Sequence, residues 1–400
     1  MNSLILLAVL SATQASADSN FAGLREQVAQ LETQACDPET LRPSVIHYSP
    51  ATEEYGILSS SKELYQKRVE IDGDILENDY FKVVAFDPYE VEGERRLKEE
   101  PLSLCDFDGR NVMYHLMRAR NYFQKFDPES EALHRKITVR LRADRQYNFA
   151  SRYGKRNFYN AAGYFPEHFD KGWGAEIWFF DRKTQLNWKP VLLKSALTML
   201  PKPNPLALIA IPITIYSHWT FGADMAKIPA AIYNEAFHWA TDAAHLLPAN
   251  GFSNPVVEAY SNYFSAAISD NPRIADVESF IDRRWTQDIS KVRRVKAPKK
   301  STFSESRIRE RFNYYRSPLI PALLWQIRMK IGANAADSLI WSSVSRLKDT
   351  TRPSDLPEVI LASTESQDLQ TTLRAIFDSH RESLSNLDLL FEDYYGHEAR

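Results

Sequence analysis

Residues 229–264 read PAAIYNEAFHWATDAAHLLPANGFSNPVVEAYSNYF, and the rest of the chain is organised around them. The stretch predicts two helices and a turn. The first helix opens near Pro229, a residue favoured in a first helical turn, and carries Ile232, Ala236, Trp239, Ala240 and Ala243 along one apolar face. It stops before Pro248, and Asn250-Gly251 is a turn signal. The second begins at Asn254-Pro255, a cap followed by proline at the first helical position.

Asn234 and His238 are one helical turn apart and share a face, with Glu235 beside them. Glu258 and Asn262 share a face of the second helix in the same way. A histidine at 234 would complete His-Glu-x-x-His, the helix whose two imidazoles bind zinc while the glutamate activates a water. The third ligand in that geometry is a carboxylate on a following helix, the place that Glu258 takes. Taken alone, Glu-x-x-His is an ordinary solvated helix face. The paired helices and their spacing set this stretch apart.

The stretch resembles the gluzincin metallopeptidases, the thermolysin and fungalysin group. Their second helix carries Glu-x-x-Ser-Asp, and here it reads Glu258-Ala259-Tyr260-Ser261-Asn262. Two departures stand out, Asn234 for the first histidine and Asn262 for the aspartate. They belong together physically. In the family that aspartate receives the free ring N–H of the first histidine and orients it. Without the histidine it would be an unpaired buried charge, whereas two asparagines can pair as neutral amides. An amide oxygen is also a poor zinc donor beside imidazole. The resemblance therefore implies ligand positions at Asn234, His238 and Glu258, vestigial or weak, with Glu235 as the base. Without zinc, His238 can protonate and pair with Glu258 or Glu235.

The resemblance covers about 110–380 and thins away from the motif. Asn111–Phe123, with Val112, Leu116, Ala119 and Phe123 on one face, is similar to the helix that opens the catalytic domain of fungalysin-like enzymes. His115 reads as a helix-face residue and not a ligand. Asn160-Ala161 matches the family's edge strand, which pairs with substrate backbone, although Asn157 competes for that role. Aligning Ser317 and Trp325 puts Tyr314 where the family has a histidine that stabilises the tetrahedral intermediate, so Tyr314 would keep only a hydrogen-bond donor.

Elsewhere the residues speak for themselves. The chain has 400 residues, is 44% hydrophobic and 12% aromatic, and can bury a large core in two subdomains. Its net charge of −3 argues neither way on nucleic acid, and none is expected as a partner. Residues 1–17, with Leu4–Leu10 apolar and Ala15-Ser16-Ala17 small, read as a cleaved signal peptide, which implies an extracytoplasmic protein; the alternative is a buried N-terminal segment. Cys36 and Cys105 fit that compartment as a disulfide, or stand as two buried thiols.

A helix is expected over 20–34 on Phe21, Leu24, Val28 and Leu31, a strand over Phe81–Phe86 ended by Asp87-Pro88, and a solvated acidic segment over Glu90–Glu100. Lys136–Ala143, with Ile137, Val139 and Leu141 alternating, reads as a half-buried strand. Leu206–Tyr216 is apolar but too short and too proline-interrupted to span a membrane, and His218 beyond it is a conceivable replacement ligand. The basic run Lys291, Arg293, Arg294, Lys296, Lys299 and Lys300 reads as an exposed mobile loop, or as a contact for an anionic envelope surface through 291–300. Helices follow over 314–331, 335–347 and 368–377, then an acidic, aromatic tail over 386–400.

The expected fold is α+β, a thermolysin-like two-lobed arrangement with a β-rich upper lobe, a central helix and a mainly helical lower lobe. The expected division is a signal peptide at 1–17, an extension or small domain at 18–104, a β-rich lobe with the motif helix at 105–250 and a helical lobe at 251–400. The functional expectation is an exported metallopeptidase homologue without catalytic activity or cofactor, which binds a peptide or protein. The alternatives are an active zinc endopeptidase with an altered metal site and an envelope structural protein whose cleft has no role.

Overall fold

The computed structural model describes residues 23–24, 26–33, 44–52, 54–59, 76–91, 94–103, 105–143, 162–165, 175–180, 185–186, 219–220, 225–241, 255–274, 287–295, 318–348 and 350–395. The architecture is of the general α+β class. A hairpin of β1 (Ser44–Ser49) and β2 (Glu54–Ser59) precedes the main sheet. That sheet holds β3 (Phe81–Val91), β4 (Glu94–Pro101), β5 (Ile137–Ala143), β6 (Ala162–Phe165) and β7 (Glu176–Phe180) in the order β4-β3-β5-β7-β6. Strands β3, β5 and β7 are parallel, and the two edges, β4 and β6, are antiparallel. Between β3 and its parallel neighbour β5 the chain passes through β4, α1 (Phe107–Phe123) and the short α2 (Glu131–His134), the length that a parallel crossover needs.

The helix α1 starts where the sequence dictates. The Asp106 carboxylate caps it by accepting the Gly109 N–H at 2.7 Å. A Cβ at Gly109 would fall 2.5 Å from Leu76 Cδ1, so any larger residue there would have to push the Leu76 side chain aside. Val112, Leu116, Ala119 and Phe123 are all fully buried, as their spacing predicts. They pack with the inner face of the sheet, Val83, Val139 and Ile177, and with the two motif helices, α3 (Pro229–Ala240) and α4 (Pro255–Ser269), in one core. The sheet's opposite face holds a buried ion pair, Arg140 to Glu176 at 2.6 Å, whose carboxylate also accepts Trp178 Nε1–H at 2.6 Å.

Two short strand pairs complete the sheets, β8 (Gln185–Leu186) with β9 (Trp219–Thr220) and β10 (Arg273–Ile274) with β11 (Gln287–Asp288). The C-terminal third is helical: α5 (Leu319–Ile331), α6 (Ala333–Val344), α7 (Leu356–Leu361), α8 (Gln367–Asp378) and α9 (Arg381–Tyr395). Two contacts weld it to the sheet half. Trp341 of α6 is stacked by Phe123 of α1 at 5.0 Å and met edge-on by Phe264 of α4 at 5.7 Å. Asp337 accepts Tyr122 Oη–H at 2.5 Å and is bridged by Arg328 at 2.5 Å, with Tyr263 Oη–H on its other oxygen. One carboxylate thus ties together α1, α4, α5 and α6.

Two expectations are corrected, on the strand from Phe81 and on the basic run, and three gain detail. The strand from Phe81 does not end at Asp87-Pro88 but runs to Val91, with Asp87 opposite Lys98 and Pro88 opposite Leu97. Beyond Ala85 its neighbour among the described residues is β4, so a residue without an N–H costs no ladder bond to β5. The segment Glu90–Glu100 is for the most part β4, an outer strand of the sheet. The main sheet joins strands from both sides of position 104, β3 and β4 before it and β5, β6 and β7 after it. The tail over 386–400 is helical as far as Tyr395. The first part of the basic run, 291–295, is not loose, since Val295 is hydrogen-bonded to Ser383 and Asn386 on α9. The signal-peptide residues, Cys36, Leu206–Tyr216 and His218 lie outside the described residues. Cys105 sits in the turn before α1, its N–H donating to Ser103 Oγ at 3.1 Å.

Candidate functional site

Pro229 stands at the first position of α3, where its missing N–H costs nothing, and Thr241 closes the helix by giving its N–H to Phe237. The helix is buried almost all round, between α1, the edge strand β6 and α4. Its opposite faces do different work.

The α1 side is structural. His115 Nδ1 lies 2.6 Å from Tyr233 Oη, and Nε2 lies 2.8 Å from the Ile46 carbonyl. A carbonyl only accepts, so Nε2 carries the proton and Nδ1 accepts from the tyrosine. Burial, and then the Arg118 charge, push this imidazole down to about 3. His115 is a neutral core histidine that joins β1 to the motif helix, as a helix-face reading requires. Asn111 extends the joint, accepting Ile46 N–H at 2.9 Å and donating to the Ala226 carbonyl at 2.7 Å.

The α4 side brings together Asn234, Glu235, His238, Glu258, Ser261 and Asn262. Asn234 Nδ2–H donates to Ser261 Oγ at 2.5 Å and reaches Asn262 Oδ1 at 3.4 Å. The paired-amide reading of 234 and 262 is thus met only by the longer contact. The short partner is Ser261, whose hydroxyl passes its own proton to the Glu258 carbonyl at 2.8 Å. Ser261 had a signal in the Glu-x-x-Ser pattern, but nothing in the sequence gave it that role.

His238 Nε2 faces Glu258 Oε1 at 3.5 Å. Burial alone would lower this imidazole, but the Glu258 carboxylate, its hydrogen bond and the Glu235 charge outweigh burial and hold it above its ordinary value. Nδ1 of His238 has no hydrogen-bond partner among the described residues. Glu235 is buried, and burial lifts its carboxyl to about 7; His238 opposes the rise, Glu258 adds to it and the Tyr164 backbone N–H opposes it. Tyr164 is on β6, the antiparallel edge of the sheet. The edge strand next to the motif is therefore real, although Asn160, Ala161 and Asn157, the residues expected to mark it, lie outside the described residues, as does Tyr314. A backbone contact such as that of Tyr164 leaves no mark in a side-chain pattern.

No protein-family model matches the chain, and no curated protein does.

The donor set can be tested against zinc on its chemistry. His238 supplies one imidazole and Glu258 one carboxylate, and they face each other. The remaining position is a neutral amide already committed to Ser261. Among the described residues no group of three or more His, Cys, Asp and Glu side chains is placed to hold a metal ion. The set does not fit zinc. It forms instead an ion pair beside a buried carboxyl of raised proton affinity, flanked by a sheet edge.

Proposed function

We propose that the chain is an exported, peptidase-like protein of the thermolysin-like two-lobed kind that does not hydrolyse peptides and acts by binding a peptide or protein. The carrying observation is the hydrogen bond from Asn234 to Ser261 at 2.5 Å. It ties the residue at the first ligand position to a neighbouring helix, and the only lone pairs that residue can offer are on a neutral amide oxygen, a weak donor to zinc. The antiparallel edge β6 supplies a surface for an extended segment, since an outer strand can accept another by backbone pairing.

The retained Glu235, lifted to about 7, favours a second reading, an active peptidase with an altered metal set, because a base near neutrality suits proton transfer. Zinc stoichiometry of the purified protein separates the two. No zinc after loading, with the fold intact, is expected. Near one zinc per chain, lost in Glu258→Ala, together with a peptidase activity lost in Glu235→Gln, would establish the second reading instead.

A further inference from the structure

The segment 291–295 alternates in a telling way. Val292 and Val295 pack against the core, while Lys291, Arg293 and Arg294 are exposed. Its end is pinned through both backbone polar groups of one residue. Val295 N–H donates to Ser383 Oγ at 3.3 Å, and its carbonyl accepts Asn386 Nδ2–H at 2.9 Å. Both partners lie on α9, whose first residue, Arg381, is 79% exposed at the side chain. Arg294 also lies close to His380, at the corner between α8 and α9, where burial and then the Arg294 charge lower the imidazole's proton affinity. Cations from two separate segments therefore meet at one corner.

Two of the neighbouring anions are taken up by other cations. Asp288 pairs with Lys291 at 3.4 Å and Asp378 with Arg381 at 2.6 Å, and Glu382 follows Arg381 in the first turn of α9. Arg293 and Arg294 pair with no carboxylate among the described residues. On a chain whose net charge is −3, two exposed guanidiniums on a pinned backbone are a local feature and not part of a general basic field.

We propose that this corner is a peripheral docking surface for an anionic phospholipid membrane. Guanidinium is the side chain best suited to phosphate, and its backbone support is ordered before contact, so little freedom is lost on docking. Among the described residues, the exposed side chains of the patch include no aromatic ring to stack on bases, which disfavours single-stranded nucleic acid. No described helix is long and apolar enough to cross a membrane, and the contact is electrostatic and reversible. This reading is independent of the cleft.

The purified protein is sedimented with phosphatidylcholine vesicles, with and without phosphatidylglycerol. Binding is expected only to the anionic vesicles, with release at high salt. Arg293→Gln/Arg294→Gln should bind them about 30-fold more weakly, from roughly 1 kcal/mol for each basic side chain near such a surface. Lys330→Gln, an exposed cation on α5, should bind as the wild type does. Both arginines are exposed, so an unchanged melting curve shows that the double variant still folds. Equal binding to neutral vesicles, undiminished binding by the double variant, or binding to a short single-stranded DNA and not to vesicles would each overturn the proposal.

Discussion

Two buried histidines flank the core of this protein on neighbouring helices, and their chemistry diverges. His115 on α1 is 1% exposed and His238 on α3 is 4% exposed. Burial presses both toward neutrality. At His115 the Arg118 charge adds to burial, the hydrogen bond to the Ile46 carbonyl resists only weakly, and the ring is held neutral with both nitrogens satisfied. At His238 two carboxylates reverse the outcome, and one nitrogen is left without a partner among the described residues. Burial sets the cost of a charge, and the neighbours decide whether it is met. The first arrangement is that of a structural joint. The second keeps charge inside a protein at a cost that stability alone does not demand.

The severest way to break the contrast is to remove residues 18–104. That deletes Ile46, which His115 holds, together with β3 and β4. It leaves β5 with an open parallel edge, a strand type almost always buried between neighbours. The truncated chain 105–400 is expected not to fold, as read by a missing cooperative melting transition. A cooperative melt would show the segment to be a detachable extension after all.

Next in size is His115→Ala. It opens a cavity and strands Tyr233 Oη and the Ile46 carbonyl, at a cost of about 4 kcal/mol in denaturant unfolding. The pH dependence identifies the cause. The folded value, about 3, lies below the ordinary 6.5, so the unfolded chain takes up the proton first and stability falls as pH drops from 6.5 toward 3. Near pH 4.5 that loss should be about 2–3 kcal/mol, and it should vanish in His115→Gln. An equally steep acid loss in the glutamine variant would mean that His115 is not its source.

Much of this contrast was legible in advance, and the rest was not for identifiable reasons. The spacing of Val112, Leu116, Ala119 and Phe123 gave α1, and Pro229 and Asn254-Pro255 marked both motif helices, because these signals are local. The run of β3 past Pro88 was hidden because a proline is tolerated only where one flank lacks a neighbour, and that depends on where β5 stops. The site residues on α3 and α4 could be named from spacing. That Ser261, rather than Asn262, takes the short bond from Asn234 depends on how two helices are rotated against each other, which spacing does not fix. The tether of 291–295 to α9 joins residues about ninety positions apart, and no local signal carries that.

Glu235→Gln should act in the opposite direction to the His115 variants. The carboxyl, at about 7 when folded against an ordinary 4.5, favours folding in its neutral form below pH 4.5 and loses that advantage as pH rises from 4.5 through 7. A glutamine can still accept the Tyr164 N–H without the charge. At pH 8 the variant should therefore be more stable than the wild type by about 2–3 kcal/mol, with the gap closing at acid pH. Destabilisation at pH 8 would mean that the charge is matched by something the His238–Glu258 pair does not provide.

The smallest effect belongs to His238→Gln, and it sharpens the comparison most. Its folded value is raised, so the pair with Glu258 contributes fully below the ordinary 6.5 and is lost as pH climbs through the folded value. The contact is long, at 3.5 Å, and the Glu258 side chain is 16% exposed, so the wild type should exceed the variant by only about 1 kcal/mol near pH 6. That margin should shrink near pH 9, the reverse of the trend at His115. If it grew instead, the neutral imidazole would be the form the site is built to hold, as a metal ligand must be. The His238–Glu258 pair would then be a ligand set awaiting a cation, and the reading of this cleft as a binding site without metal would fail at its centre.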